Sequence, residues 1–91
     1  MNAHQPSRDL LNLAIDNGWN AAYVYRKDVS EGAPYITVEA RLDDERNRSH
    51  RVIVTWHTRG TGTYRLFSCM ADLRDMSLKR ARMFIAERVR S

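Results

Sequence analysis

The stretch 50-HRVIVTWHTRGTGTYRLFSCM-70 decides the fold. Its two halves, Arg51 to Thr58 and Thr63 to Cys69, are dense in β-branched and aromatic residues, which suit a pleated, half-buried strand. Arg59-Gly60-Thr61-Gly62 between them brings two glycines free to take positive φ, so the stretch reads as a hairpin. A four-residue loop pairs Thr58 with Thr63. That register puts Val52, Val54 and Trp56 on one face with Arg65, Phe67 and Cys69. Arg51, Ile53, Thr55 and His57 then share the other face with Tyr64, Leu66 and Ser68. The first face is the expected core. The second is mixed, neither plainly wet nor plainly buried.

Outward from the hairpin, Tyr35 to Leu42 alternates cleanly, with Ile36, Val38, Ala40 and Leu42 on one side and Tyr35, Thr37, Glu39 and Arg41 on the other. Asn20 to Lys27 reads as an earlier strand, and Asp28 to Pro34 as the turn between the two, marked by Gly32 and Pro34. The charged loop Asp43 to Ser49 should be solvated. At the N-terminal end, Leu10, Leu11, Ala14 and Ile15 recur at helical spacing, widened by Leu13. Ser7 is the expected cap, Asp9 lies in the first turn, and Asn17-Gly18 supplies the left-handed stop, which predicts a helix over 8–17 with 1–6 disordered. At the other end Leu78, Ala81, Ile85 and Val89 form the apolar stripe of a last helix capped by Asp75 or Ser77, with Phe84 beside it and Lys79, Arg82 and Arg90 on the reverse side. Ala71 to Asp75 is expected to be a linker or an irregular turn.

The predicted fold class is α+β: helix, three to four antiparallel strands, helix, in a single domain over 1–91, with both helices on one face of the sheet. The helices should cover Ile36, Val38, Ala40, Val52, Val54, Trp56 and Phe67. Tyr35, Thr37, Arg41, Arg51, Ile53, Thr55, His57, Tyr64 and Leu66, joined by Tyr23 and Tyr25, should line the uncovered face.

Ninety-one residues with 43% apolar content can hold one core, and a single cysteine excludes an internal disulfide. No apolar run approaches a membrane span or a signal peptide, so the expected compartment is a reducing cytoplasm, with Cys69 a small core residue and Asn47-Arg48-Ser49 a chance sequon. The net charge is +4, carried by thirteen arginines against two lysines, with eleven acids interspersed. Guanidinium forks suit phosphate and carboxylate partners, but charge this modest does not by itself demand nucleic acid.

Catalytic and metal chemistry find little footing. His4, His50, His57 and Cys69 lack ligand spacing, and the hairpin register puts Cys69 and His57 on opposite sheet faces, too far apart for a nucleophile and its base. Asp43, Asp44 and Glu45 crowd a polar loop rather than a pocket. Arg59-Gly60-Thr61-Gly62 is at most a weak anion nest. No enzyme activity, cofactor, metal or small-molecule substrate is expected.

The element order and several residues resemble a double-stranded RNA-binding domain. Pro6, Leu10-Leu11-Asn12, Ala14, Gly18 and Tyr25 carry the likeness, followed by Gly32-Ala33-Pro34 leading into Ile36-Thr37-Val38-Glu39. Ser77-Leu78-Lys79-Arg80-Ala81-Arg82 is similar to the family's basic helix opening. The resemblance implies phosphate gripping by Lys79 and Arg82 and a minor-groove contact near Asn12. The chain departs from the pattern in three places. Tyr35 follows Ala33-Pro34 where the family has a histidine, Leu78 stands at the first of its paired lysines, and a fourth strand is extra.

Two binding readings follow. In the first, Tyr35, Arg41, Ile53, His57, Tyr64 and Leu66 on the uncovered face contact a protein, or a second copy in a homodimer; Glu39 in the middle and the aliphatics favour this over phosphate. In the alternative, Arg48, Arg51, Lys79, Arg80 and Arg82 hold nucleic acid. The arginine-rich single-domain composition also resembles small accessory proteins of bacteriophages with GC-rich hosts, which implies a host protein as partner.

Overall fold

A computed structural model of the chain describes residues 4–27, 34–43, 46, 48–58 and 64–88. The chain runs α1 (Gln5–Asp16), β1 (Asn20–Lys27), β2 (Pro34–Asp43), β3 (Ser49–Thr58), β4 (Tyr64–Ala71), β5 (Arg74–Asp75) and α2 (Leu78–Glu87). The strands form one antiparallel meander in the order β1-β2-β3-β4-β5. The α+β class and the helix–strands–helix order are as expected, with one strand more than the three to four read from sequence.

Strict alternation in β2 and β3 builds the core. Ile36, Val38, Ala40 and Leu42 lie beside Val52, Val54 and Trp56, all buried, under Leu10 and Ala14 of α1 and Ala81 and Ile85 of α2. α1 packs on β1 and β2, α2 on β3 and β4, and the helices touch each other. Cys69 and Ala71 of β4 complete the layer. Burial pushes the Cys69 thiol pKa up, as befits a core residue. Each fully buried aliphatic contributes roughly 1.5–3 kcal/mol, so this single layer is the main source of stability.

The helix starts earlier than predicted. His4 is the N-cap residue and Pro6 sits in the first turn, where its missing N–H costs nothing. Ser7 is buried inside the helix, its hydroxyl donating to the His4 carbonyl at 2.7 Å. The His4 ring packs at 5.2 Å from Trp56 and 4.7 Å from Tyr64, so residues 4–6 are ordered rather than frayed. Burial lowers the His4 pKa. Gly18, at φ 82°, ends the helix as expected. Ser77 caps α2 as expected, its Oγ accepting from the Arg80 N–H at 3.2 Å. Trp19, just after the stop, is a core residue that local pattern does not reveal. Its indole N–H donates to the Arg88 carbonyl at 2.8 Å, locking α1's exit to α2's end.

The hairpin register differs from expectation. Val52 pairs with Ala71, Val54 with Cys69 and Thr55 with Ser68; Trp56 then pairs with Leu66, His57 with Arg65 and Thr58 with Tyr64. Phe67 is the extra residue, a β-bulge that changes which face the rest of β4 presents. Phe67 therefore leaves the predicted core and is 69% exposed. Tyr64 and Leu66, expected on the uncovered face, come to the side of Trp56, where Tyr64 packs on the core. Tyr23 and Tyr25 also belong to the helix side, opposite Val38 and Ile36. The glycine loop Arg59 to Gly62, Gly32 of the first turn, Asp44, Glu45, Asn47, Val89 and Arg90 lie outside the described residues.

Candidate functional site

Among the described residues nothing covers the sheet face opposite the helices. At one end of it three rings step across three strands. Tyr35 of β2 stacks on His57 of β3 at 5.4 Å and 25°, and His57 meets Phe67 of β4 at 4.3 Å. Pairing sets this ladder: Tyr35 lies opposite His57, and the bulge swings Phe67 onto the same side. Arg26 lies opposite Tyr35 and Arg65 opposite His57, so guanidinium groups flank the rings. Next along the face comes a hydroxyl band, where Thr37 and Thr55 hydrogen bond at 3.1 Å beside Ser68.

The other end is apolar. Ile53, Met70 and Leu73, with Ser49, Arg51 and Asp72, line an open pocket of about 430 Å³. Arg51 donates through Nε and Nη2 to Oε1 of Glu39, at 2.9 Å for Nε, which neutralises the one cation facing the pocket wall. Leu73 sits in the tight turn between β4 and β5, where Asp72 has φ 48° and Leu73 φ 67°. Two successive positive φ values are those of a type I′ turn, normally filled by Asn-Gly. A leucine there costs about 1–2 kcal/mol and is 89% exposed, so its own side chain repays little of that among the described residues.

Asp72 holds the turn against β3. Its Oδ1 accepts the Arg51 N–H at 2.9 Å, its own N–H donates to the Arg51 carbonyl at 2.9 Å, and its Oδ2 lies 3.1 Å from Nδ1 of His50. Burial alone would raise the Asp72 pKa; the Arg51 N–H, His50 and the charge of Arg88 outweigh it and hold the carboxyl below its ordinary value.

The structure brings together Tyr35, Arg41, Ile53 and His57 of the predicted protein-binding set and separates Tyr64 and Leu66 from them. Arg41 lies at the far end, reaching Ser49 Oγ at 3.0 Å and Asp43 at 3.5 Å. Sequence reading placed Phe67 in the core and missed Met70 and Leu73; the stretch Ala71 to Asp75, read as a linker or irregular turn, carried no signal for the last.

The predicted nucleic-acid set is split between two surfaces. Arg51 is on the open face, whereas Lys79, Arg80 and Arg82 are exposed on α2, behind the sheet. Arg48 is exposed in the connector before β3. Arg80 also borders a groove of about 630 Å³ between α2 and the β4–β5 turn, where Arg74 and Arg88 are matched by Asp72, Asp75 and Glu87. No three His, Cys, Asp or Glu residues converge as metal ligands among the described residues, and His57 and Cys69 lie on opposite faces of the sheet. No helix among them is long and apolar enough to cross a membrane. No protein-family model, curated protein or solved structure matches the chain.

Proposed function

We propose that the protein is a non-enzymatic binding module whose open sheet face docks another protein. The observation that carries this reading is Leu73, held at φ 67° and 89% exposed at the rim of the Ile53–Met70 pocket. A strained, solvent-facing leucine beside an apolar hollow is an anchor without its counterpart. Phe67, about 10 Å along β4 from Met70 of that pocket, gives a second anchor beyond the hydroxyl band. Two apolar anchors around hydrogen-bonding groups match the centre of a protein interface, and at the apolar end Arg51 is already paired with Glu39.

Affinity capture from lysate, with and without nuclease, tests the reading. The intact chain should retain a protein partner after nuclease treatment. Leu73→Asp and Phe67→Asp should each lose it while far-UV circular dichroism stays unchanged. Capture that survives both changes would refute the docking face.

One observation favours a second reading. Tyr35, His57 and Phe67 between Arg26 and Arg65 form the kind of stacking platform that takes successive bases of a single strand. On that reading binding to single-stranded nucleic acid falls steeply with salt and with Phe67→Ala. Binding abolished instead by Lys79→Glu and Arg82→Glu would place nucleic acid on α2, in line with the resemblance to double-stranded RNA-binding domains.

A further inference from the structure

The two edges of the sheet are unlike. β5 has only two residues, Arg74 and Asp75, both charged and exposed. β1 has eight, Asn-Ala-Ala-Tyr-Val-Tyr-Arg-Lys, with no proline and no charge before Arg26, and no described segment pairs with its outer side. A long edge strand whose first six residues carry no charge, with no bulge in its pairing to β2 and no described segment on its outer side, offers an open row of N–H and C=O groups. Its side chains are unspent as well. Ile15 at the end of α1, with Tyr23, Val24 and Tyr25 of β1, makes up four of the eight large hydrophobics left exposed among the described residues.

We infer that β1 pairs with β1 of a second copy, joining two sheets into one of ten strands. This interaction surface is the outer edge of the sheet, bordering the open face at Val24 and Arg26, and holds whatever the ring ladder and the Leu73 pocket bind. A twofold axis perpendicular to the sheet keeps both helix layers on one side and sets residues of like face opposite each other. The pairing is therefore centred on Val24 or on Tyr23. Centred on Val24, it puts Tyr23 opposite Tyr25 of the second copy, an aromatic pair, and Arg26 opposite Ala22, so this arginine meets no like charge. Centred on Tyr23, it puts Arg26 opposite Asn20.

The helix layer fits the same axis. α1 packs on both β1 and β2, which sets it about 5 Å from the midline of the joined sheets. Two α1 helices then run about 10 Å apart, the spacing at which helices pack. One flank of α1 faces α2; Ile15, one turn on from the partly buried Leu11 and 51% exposed, marks the other. That flank would be covered by its twin.

Sedimentation velocity of the full chain over a concentration series is the test. The expected result is a reversible dimer. Val24→Lys sets two cations at or near the axis and should raise its dissociation constant about tenfold or more, with circular dichroism unchanged. Ile15→Glu, on the helix rather than the strand, should weaken the dimer independently and guards against a folding defect in the first variant. A monomer at every soluble concentration would overturn the inference. So would a dimer that neither variant weakens, or one dissociated by Phe67→Asp alone, which would put the contact on the open face.

Discussion

β2 and β4 flank the same strand and obey different rules. β2 pairs with β3 from Tyr35–His57 to Asp43–Ser49 without interruption, so its period-two pattern alone separates core from open face. β4 holds one extra residue against Thr55 and Trp56, and that residue exchanges what the two faces receive. Without the bulge, Phe67 would lie under the helices and Tyr64 on the open face. With it, Tyr64 joins His4 and Trp56 on the helix side, and Phe67 extends the ring ladder begun by Tyr35 and His57. One inserted residue thus equips the open face with its largest apolar group and gives the helix side a polar-tipped ring. Bulges beside functional surfaces often re-aim a side chain in this way.

The sharpest way to break the comparison is to truncate the two rings at the bulge. Trp56→Ala empties a buried site and should cost about 3–5 kcal/mol of unfolding free energy, read from urea melts. Phe67→Ala removes an exposed ring and should cost about 1 kcal/mol or less by the same measurement. Comparable losses would mean that Phe67 is in the core after all.

Tyr64 gives a pH signature of the exchange. Burial, then a hydrogen bond and charge coupling with Tyr25 and the charge of Tyr23, push its pKa from 10.0 up to about 12. A folded-state pKa raised above the unfolded one means that the native chain holds the proton more tightly. Its contribution to stability is full below pH 10 and is lost as the pH rises through about 12. Wild-type stability should therefore fall more than that of Tyr64→Phe between pH 10.0 and about pH 12. Parallel pH dependences would place Tyr64 in solvent on the other face.

What was legible in the sequence divides along the same line. The alternation of Ile36, Val38, Ala40 and Leu42 identified β2 and its buried side, Asn20 to Lys27 were bounded correctly as β1, and Gly18 and Ser77 marked helix ends through local chemistry. β4 was not legible because one extra residue leaves no compositional trace, yet shifts every later side chain across the sheet. Trp19 and His4 were missed because their burial comes from remote partners, Arg88 for one and Trp56 with Tyr64 for the other. The open face was foreseen as a place, with Tyr35, Ile53 and His57 on it. Its anchors were not, because Phe67 depends on the bulge and Leu73 on a turn that carries neither Gly nor Asn.

Leu73 sharpens the comparison from the other end of β4. Glycine takes φ 67° without the Cβ clash that leucine bears, so Leu73→Gly should stabilise the chain by about 1 kcal/mol, partly offset by the greater freedom of glycine in the unfolded chain. Urea melts would read the gain, and the same variant should capture less partner than wild type. Stability and binding moving in opposite directions is the mark of a residue kept for contact rather than for folding.

A smaller effect is expected from deleting Phe67 altogether. Removing the extra residue leaves Ser68 opposite Thr55 and Leu66 opposite Trp56, the partners they already have, and makes the β3–β4 ladder continuous. The deletion should therefore change unfolding free energy by about 1 kcal/mol or less. Amide exchange on β4 should remain as slow as in wild type, and the aromatic ladder should end at His57. A large loss of stability would mean that the bulge serves the fold. Near-neutral stability with lost binding would leave presentation of this ring as its purpose, since the deletion keeps Leu66 and Tyr64 opposite Trp56 and Thr58 and removes only an exposed side chain.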